Sequence, residues 1–304
     1  MPISAEFLDE KLRELKTTFP HAGDFCFFTD IDNLPSILAA GALLSRNRAM
    51  DAGLVRNDCA SASVLTNTPL WVRDYVRLYF APRTPMLYQV EGIKRRPDNW
   101  PECPIPVYLA FSPDAVALPT ARISDGNMGA AATKCEKASA EFFAALPFDK
   151  IYHRGSTWLL NTREIILRRH AEILIESELT LGLLQRLVFR SEAEKALGRS
   201  LLPASVNVAC DVDRSWFNAN RPFLDAFTRT EIGFTFRVAN RWIGDTLIHV
   251  APLETGCTRV TKSVYSFPRG WSAFEAIESS ELDFPVPIDQ TNRLYLLRHR
   301  VAEW

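Results

Sequence analysis

The familiar catalytic signatures are missing from this chain. It has no G-x-G-x-x-G turn, no G-x-x-x-x-G-K-S/T loop, no H-E-x-x-H helix and no G-x-S-x-G elbow, which argues against a Rossmann dehydrogenase, a P-loop nucleotidase, a zincin and an α/β-hydrolase. Histidine is scarce. His21, His153, His170, His249 and His299 are scattered without metal-ligand spacing. Six cysteines (Cys26, Cys59, Cys103, Cys135, Cys210 and Cys257) include no C-x-x-C pair and match no zinc or iron–sulfur pattern, so no metal is expected. No apolar run approaches the roughly 20 residues that span a bilayer. The opening MPISAEFLDEKLRELK is a charged amphipathic pattern without the basic-then-apolar order of a signal peptide. These absences point to a cytoplasmic protein with reduced thiols and no membrane partner. A charge excess is missing too. With 35 basic and 36 acidic side chains the net charge is −1, so any phosphate-binding surface must be a local patch.

What is present is an ordinary globular composition: 304 residues, 47% hydrophobic and 23% charged, enough for one large or two modest domains. Residues 4–17 predict a helix, with Phe7, Leu8, Leu12 and Leu15 on one stripe. FCFFT (25–29) predicts a strand. IDNLPSILAAGALLS (31–45) predicts a helix with Asp32 or Asn33 as N-cap, Pro35 in its first turn and Gly41 at its end. Residues 46–70 read as irregular with one short helix. YVRLYFAPRTPMLYQV (75–90) starts as a strand, and Pro82 and Pro85 then suggest a bent edge or loop. PIPVYLAF (104–111) is a compact strand. Ser124-Asp125-Gly126-Asn127 is turn chemistry. Residues 134–146 look helical, residues 149–163 polar with exposed aromatics, residues 165–177 contain a strand, and 179–197 turn helical. Beyond residue 200 short alternating runs such as GFTFRVAN and DTLIHVAP lean to β. A soft boundary near Leu202-Pro203 divides residues 1–200 from 201–304.

Several segments resemble one family. TDIDNLPSILAAGALLS (29–45), DYVRLYFAPRTPMLYQVEG (74–92), ISDGNMGA (123–130) and RRHAEILI (168–175) stand in the order and spacing of DarT-like ADP-ribosyltransferases, toxins of toxin–antitoxin and anti-phage systems. The resemblance covers residues 25–195, and the Y-F-x-P-R-x-P-M-L-Y run is its most specific part. It implies an α+β fold in which two small sheets form a cleft for NAD+, with residues 201–304 a β-leaning extension of unassigned role. It also implies an enzyme that consumes NAD+ as co-substrate and places ADP-ribose on a base of single-stranded DNA. RNA is the alternative acceptor, and a degenerate NAD- or nucleic-acid-binding module is the alternative from another class. An antitoxin with ADP-ribosyl hydrolase activity is the partner the family implies.

The residues carry this chemistry unevenly. By alternation alone, Glu172 shares a strand face with Leu174 and Glu176 and reads as a solvated carboxylate. The resemblance makes it the catalytic group: set mid-strand, it would hold the ribose hydroxyl, stabilise positive charge as the glycosidic bond breaks, and help deprotonate the base. Phe28, Thr29, Asn33 and Ser45 match positions of the cofactor cleft, as do Tyr79 and Phe80. Asn33 would also serve as a helix cap. Arg83, in the most specific motif, is expected on the pyrophosphate, with Arg46 and Arg48 within reach. The family's Arg-Arg pair before D-Y-V is absent, leaving Arg73 as the nearest replacement. The family's His two residues before Thr29 is Phe27 here. Residues 128–164 correspond to the loop that faces nucleic acid in relatives; Lys134, Lys137, Tyr152, His153, Arg154 and Trp158 interleave basic and aromatic groups as a single strand requires, and Lys94, Arg95 and Arg96 extend that track.

Overall fold

The computed structural model describes residues 1–60, 62–91, 103, 105–155, 161–203, 206–218, 223–229, 233–239, 245–252, 260–264, 275–278 and 292–300. The chain opens with helix α1 (Ala5–Thr18). Ser4 caps it by accepting from the Phe7 N–H, and Leu8, Leu12 and Leu15 form its buried stripe. Strand β1 (Phe25–Asp30) leads through a 3-10 turn into α2 (Leu34–Ala40), which ends at Gly41 with φ 65°. That left-handed conformation is open to glycine at little cost. There follow β2 (Ala42–Leu44), α3 (Arg46–Asp51), α4 (Ala62–Asn67), β3 (Tyr75–Tyr79), α5 (Pro85–Val90), β4 (Pro106–Phe111), β5 (Arg122–Ser124), β6 (Cys135–Lys137), α6 (Ala140–Ala144), α7 (Phe148–Ile151), α8 (Thr162–Arg168), β7 (Glu172–Glu176), β8 (Glu178–Thr180), β9 (Leu184–Phe189), α9 (Glu192–Ser200) and β10 (Ala209–Val212).

Eight of these strands form one sheet in the order β10-β9-β4-β1-β3-β7-β5-β6. The two small sheets expected from the resemblance are visible as its halves. They meet between β1 and β3 through the single register pair Cys26↔Tyr79. Elsewhere the ladders are longer, as between β1 and β4 (Phe25↔Phe111 to Asp30↔Pro106) and between β3 and β7 (Tyr75↔Glu176 to Tyr79↔Glu172). Alternation along β1 and β3 sends Phe25 and Phe80 into one core, packed with Phe143 and Phe148, and sends Cys26, Phe28 and Tyr79 into another with Tyr108 and Trp216. The helix stripe of α1 belongs to the first core. The second face carries the candidate site.

Several elements differ from the sequence expectations. The 85–90 stretch is a helix. Thr84 accepts from the Leu87 N–H and Pro85 occupies the first turn, so the proline starts a helix where it was expected to bend an edge strand. Within 134–146, β6 precedes the short α6. The first part of 179–197 is strand, and helix begins only at Glu192: β8 pairs with β2, and β9 pairs with β4 and, in parallel, with β10. Sheet pairing overrides the helix propensity of its Leu, Gln and Arg residues. Past residue 218 the expected β character is observed in β11 (Phe223–Arg229), β12 (Gly233–Ala239), β13 (Asp245–Pro252), β14 (Val260–Val264), β15 (Glu275–Glu278) and β16 (Asn292–Arg300), arranged as two three-stranded sheets, β11-β12-β15 and β14-β13-β16.

Candidate active site

A cleft enclosing about 1250 Å³, part of it open to solvent, lies against the central strands. Its walls include Phe27, Phe28, Thr29 and Asn33 from β1 and the turn after it, Leu54, Val55 and residues 57–60, and Arg73, Arg77 and Tyr79 on and before β3.

Asn33 was expected to cap α2. It makes no side-chain cap bond. Its amide donates to the Thr29 hydroxyl (2.9 Å) and the Asn57 carbonyl (2.7 Å), and its oxygen accepts from the Arg56 and Asn57 N–H groups. Asn33 therefore fastens the 56–57 loop over the cleft, with the hydrogen-bonding capacity of its side chain spent on that task.

Glu172 is wholly buried. It opens β7 and is not mid-strand; Tyr79 stands beside it on one side and Ser124 on the other. The Ser124 hydroxyl accepts from the Glu172 N–H (3.0 Å) and donates to the Gly126 carbonyl (2.9 Å), so the S-D-G-N turn fixes the backbone at the carboxylate. Both carboxylate oxygens are taken by Arg77, whose Nε and Nη2 donate at 2.7 and 2.6 Å. This fork-to-fork pairing is the strong form of ion pair. Arg77 itself reaches the cleft wall. Burial pushes the Glu172 carboxyl above its ordinary range, and the Arg77 charge pulls it back without cancelling the burial. Burial alone would make Arg77 less basic, but Glu172 overrides that and holds the guanidinium charged. Beside the pair, burial drops the His170 imidazole to about 4, so it is neutral at ordinary pH. Arg77 is the partner of Glu172 that the sequence reading missed. Its signal was present: in YVRLY, Arg77 shares the strand face of Tyr75 and Tyr79.

Three guanidinium groups line the cleft. Arg46 is held by both oxygens of Asp58 (2.7 and 2.5 Å), and Arg77 by Glu172. Among the described residues Arg73 has no carboxylate partner. Its Nη2 donates to the Leu65 carbonyl (2.6 Å), and its Nε is buried with no hydrogen bond.

Other expectations are corrected. Phe80 is in the core on the opposite face of the sheet from Tyr79, because successive strand residues point opposite ways. Ser45 is buried off the cleft wall, its hydroxyl without a partner. Arg83 does not line the cleft; its N–H donates to the Tyr108 hydroxyl (3.0 Å). Tyr152, expected to stack on a nucleic-acid base, stacks instead on Phe19 (ring centroids 5.1 Å apart) inside the core. Phe27 is on the cleft wall, where it adds apolar surface and no side-chain hydrogen bond. Arg48 is on the surface, paired with Glu178. Lys134, Lys137 and Arg154 are exposed and His153 half-buried. Lys94, Arg95, Arg96 and Trp158 lie outside the described residues. Among the described residues no three His, Cys, Asp or Glu side chains converge to hold a metal ion, and no helix is long and apolar enough to cross a membrane.

The family model described as "ssDNA thymidine ADP-ribosyltransferase, DarT" matches residues 26–218. A DNA ADP-ribosyl transferase of Thermus sp. (strain 2.9) is 34% identical over 82 residues, covering 25% of this chain and 39% of that protein. A DNA ADP-ribosyl transferase–DNA ADP-ribosyl glycohydrolase fusion protein of Thermosipho africanus is 34% identical over 87 residues, 25% of this chain and 22% of the fusion. The matched stretches thus take in well under half of either relative. The fold is similar to that of Thermus sp. 2.9 DarT solved with ADP-ribosylated ssDNA (TM-score 0.55, 22% identity, 66% of this chain and 99% of that one) and with NAD+ (TM-score 0.52, 21% identity, 66% and 100%).

Proposed function

The chain belongs to the DarT family, and from that premise we propose that it transfers ADP-ribose from NAD+ to a base of single-stranded DNA, thymidine being the base named for the family. The observation that carries this reading is Glu172: a buried carboxylate gripped by an arginine that lines the cleft.

The residues divide the work. NAD+ supplies the ADP-ribose and the nicotinamide leaving group. Phe28 and Tyr79, stacked 6.1 Å apart on the cleft side of the sheet, offer aromatic faces to a planar ring. Thr29 and Asn33 shape that end of the cleft. Arg73 is the cation for the pyrophosphate, since its charge is not already matched. Glu172 is the base and the electrostatic support for the ribose. In the ligand-free geometry its oxygens are occupied by Arg77, so at least one of these hydrogen bonds must be released for Glu172 to touch substrate. The protein acts in the cytoplasm. Its partner is an ADP-ribosyl hydrolase, a role supported by the transferase–glycohydrolase fusion of Thermosipho africanus.

The test is direct. Purified protein is incubated with NAD+ and, separately, single-stranded DNA, duplex DNA and RNA of one sequence, and each product is weighed. The mass of one ADP-ribose on the single-stranded DNA is expected. Labelling of RNA alone would move the substrate assignment, and labelling of none would leave a binding module.

A further inference from the structure

Two cysteines meet behind the wall of the cleft. Cys59 is half-buried and lines the cleft, and Cys103 is wholly buried. Both pack in the apolar cluster that contains Phe28 and Tyr79. Asp30 ties the two segments together. Its N–H donates to the Cys59 Sγ (3.2 Å), and its carboxylate accepts from the N–H of Ile105 (3.1 Å), two residues after Cys103. The Ile31 N–H donates to the Ile105 carbonyl (2.9 Å), and the Cys103 N–H donates to the Val90 carbonyl (3.3 Å). The side chains themselves touch, the Cys103 thiol hydrogen-bonding the Cys59 sulfur. Both thiols are free. Cys26 belongs to the same cluster but turns its thiol to the Tyr79 carbonyl (3.6 Å).

One sulfur at an opening with a second directly behind it is the arrangement of a redox sensor. We propose that Cys59 and Cys103 close into a disulfide under peroxide, and that the bond draws Cys59 back from the cleft wall and weakens NAD+ binding. The inference rests on the functional reading above for NAD+ as the occupant of the cleft, though not for the bond itself.

The chemistry balances with hydrogen peroxide as the oxidant. The Cys59 sulfur attacks one peroxide oxygen and the O–O bond breaks, leaving Cys59 as the sulfenic acid and releasing water. Burial pushes the Cys103 thiol up, so it keeps its proton until the second step. There its sulfur attacks the Cys59 sulfur, the S–S bond forms, the S–O bond breaks, and the hydroxyl leaves as water with the Cys103 proton. Both sulfurs are oxidised and the peroxide is reduced. A disulfide is shorter than a hydrogen bond between thiols, so closing it takes Cys59 off the Asp30 N–H. Asn57 and Asp58 are drawn with it, and these residues hold the wall to Asn33 and Arg46. A thiol reductant reverses the change, as expected of a transient disulfide in a reducing compartment.

The test uses the full chain, reduced or treated with hydrogen peroxide, its remaining thiols alkylated before digestion. The peptides holding Cys59 and Cys103 should leave the treated protein as one linked species that dithiothreitol parts. The NAD+ concentration giving half of the thermal shift should rise about tenfold, the equivalent of one hydrogen bond lost at the wall, and return on reduction. Cys103→Ala and Cys103→Ser, made behind the wall, should each keep the reduced value and lose the peroxide response. No linked peptide, a linked peptide with the NAD+ response unchanged, or a peroxide response that survives in either folded variant would overturn the switch. If reduced wild type shows no shift with NAD+, the functional reading fails and the peptide alone decides the pair: its presence upholds the bond and its absence removes it.

Discussion

Arg77 and Glu172 pose the chief problem at the scale of single residues. A buried carboxylate bound by both arms of a guanidinium is stable only while both partners are present. Glu172→Ala leaves the Arg77 charge beside an apolar wall and is expected to lower stability by about 3 kcal/mol, toward the lower end for a broken buried pair because Arg77 keeps an edge on the cleft; chemical denaturation measures it. Arg77→Gln acts on the chemistry as well. It removes the charge that pulls the Glu172 carboxyl down, so burial drives that carboxyl higher still. The limb of the pH–rate profile that requires ionised Glu172 should move to higher pH, whereas a purely structural Arg77 would lower the rate at every pH and leave the limb in place.

Asp30 gives a second residue-scale prediction. Burial, reinforced by Asp32, raises its carboxyl from 3.8 to about 7. The folded state therefore keeps this proton after the unfolded chain has lost it, and the group's contribution to stability falls as pH rises from about 4 to about 7. The difference in melting temperature between wild type and Asp30→Asn should shrink across that window. A constant difference would contradict the shift.

At the scale of elements, helix α9 shows where propensity and packing disagree. Gly198 is inside this helix, where alanine is ordinarily favoured by about 1 kcal/mol. A Cβ there would collide with the buried Phe189 ring on β9. Overpacking costs about 1–3 kcal/mol, so Gly198→Ala should lower the denaturation midpoint despite the better helix former. Elements also show how much the sequence revealed. The stripe of α1, the first-turn proline and closing glycine of α2 and the apolar strand β4 were legible because each is a local pattern. The Thr84-Pro85 start of α5 carried a cap signature that was masked by the prolines' reputation as strand breakers. β9 was not legible, since LLQRLVF has helix formers at most positions and becomes a strand only because β4 and β10 flank it. Glu172 was legible through its family segment alone. Its burial and its Arg77 partner are set by strands 95 residues apart, which no local pattern reports.

At the scale of the whole molecule, Arg190 joins parts that no ladder connects. It follows β9, pairs with Glu194 on α9 and with Glu91 at the end of α5, and Glu91 in turn accepts from Asn218. The guanidinium also lies over Phe217 and Phe223 (5.7 and 5.2 Å). Arg190→Met would leave two buried carboxylates without their cation, at a cost of about 3–5 kcal/mol. Thermal unfolding would show it as a large drop, and an unchanged transition would mean that the clasp holds nothing. The same connection brings the stretch up to Trp216 and Phe217 against Tyr108. Trp216 and Phe217 thus support the face of the sheet on which the site is built.

The most direct measurement is the mass of single-stranded DNA after incubation with NAD+ and either wild type or Glu172→Gln, a substitution that keeps the side-chain shape and one acceptor for Arg77. NAD+ binding is followed in parallel by thermal shift. Wild type should add the mass of ADP-ribose, and the variant should bind NAD+ yet add none. Equal labelling by a folded Glu172→Gln would contradict the central role given to this carboxylate.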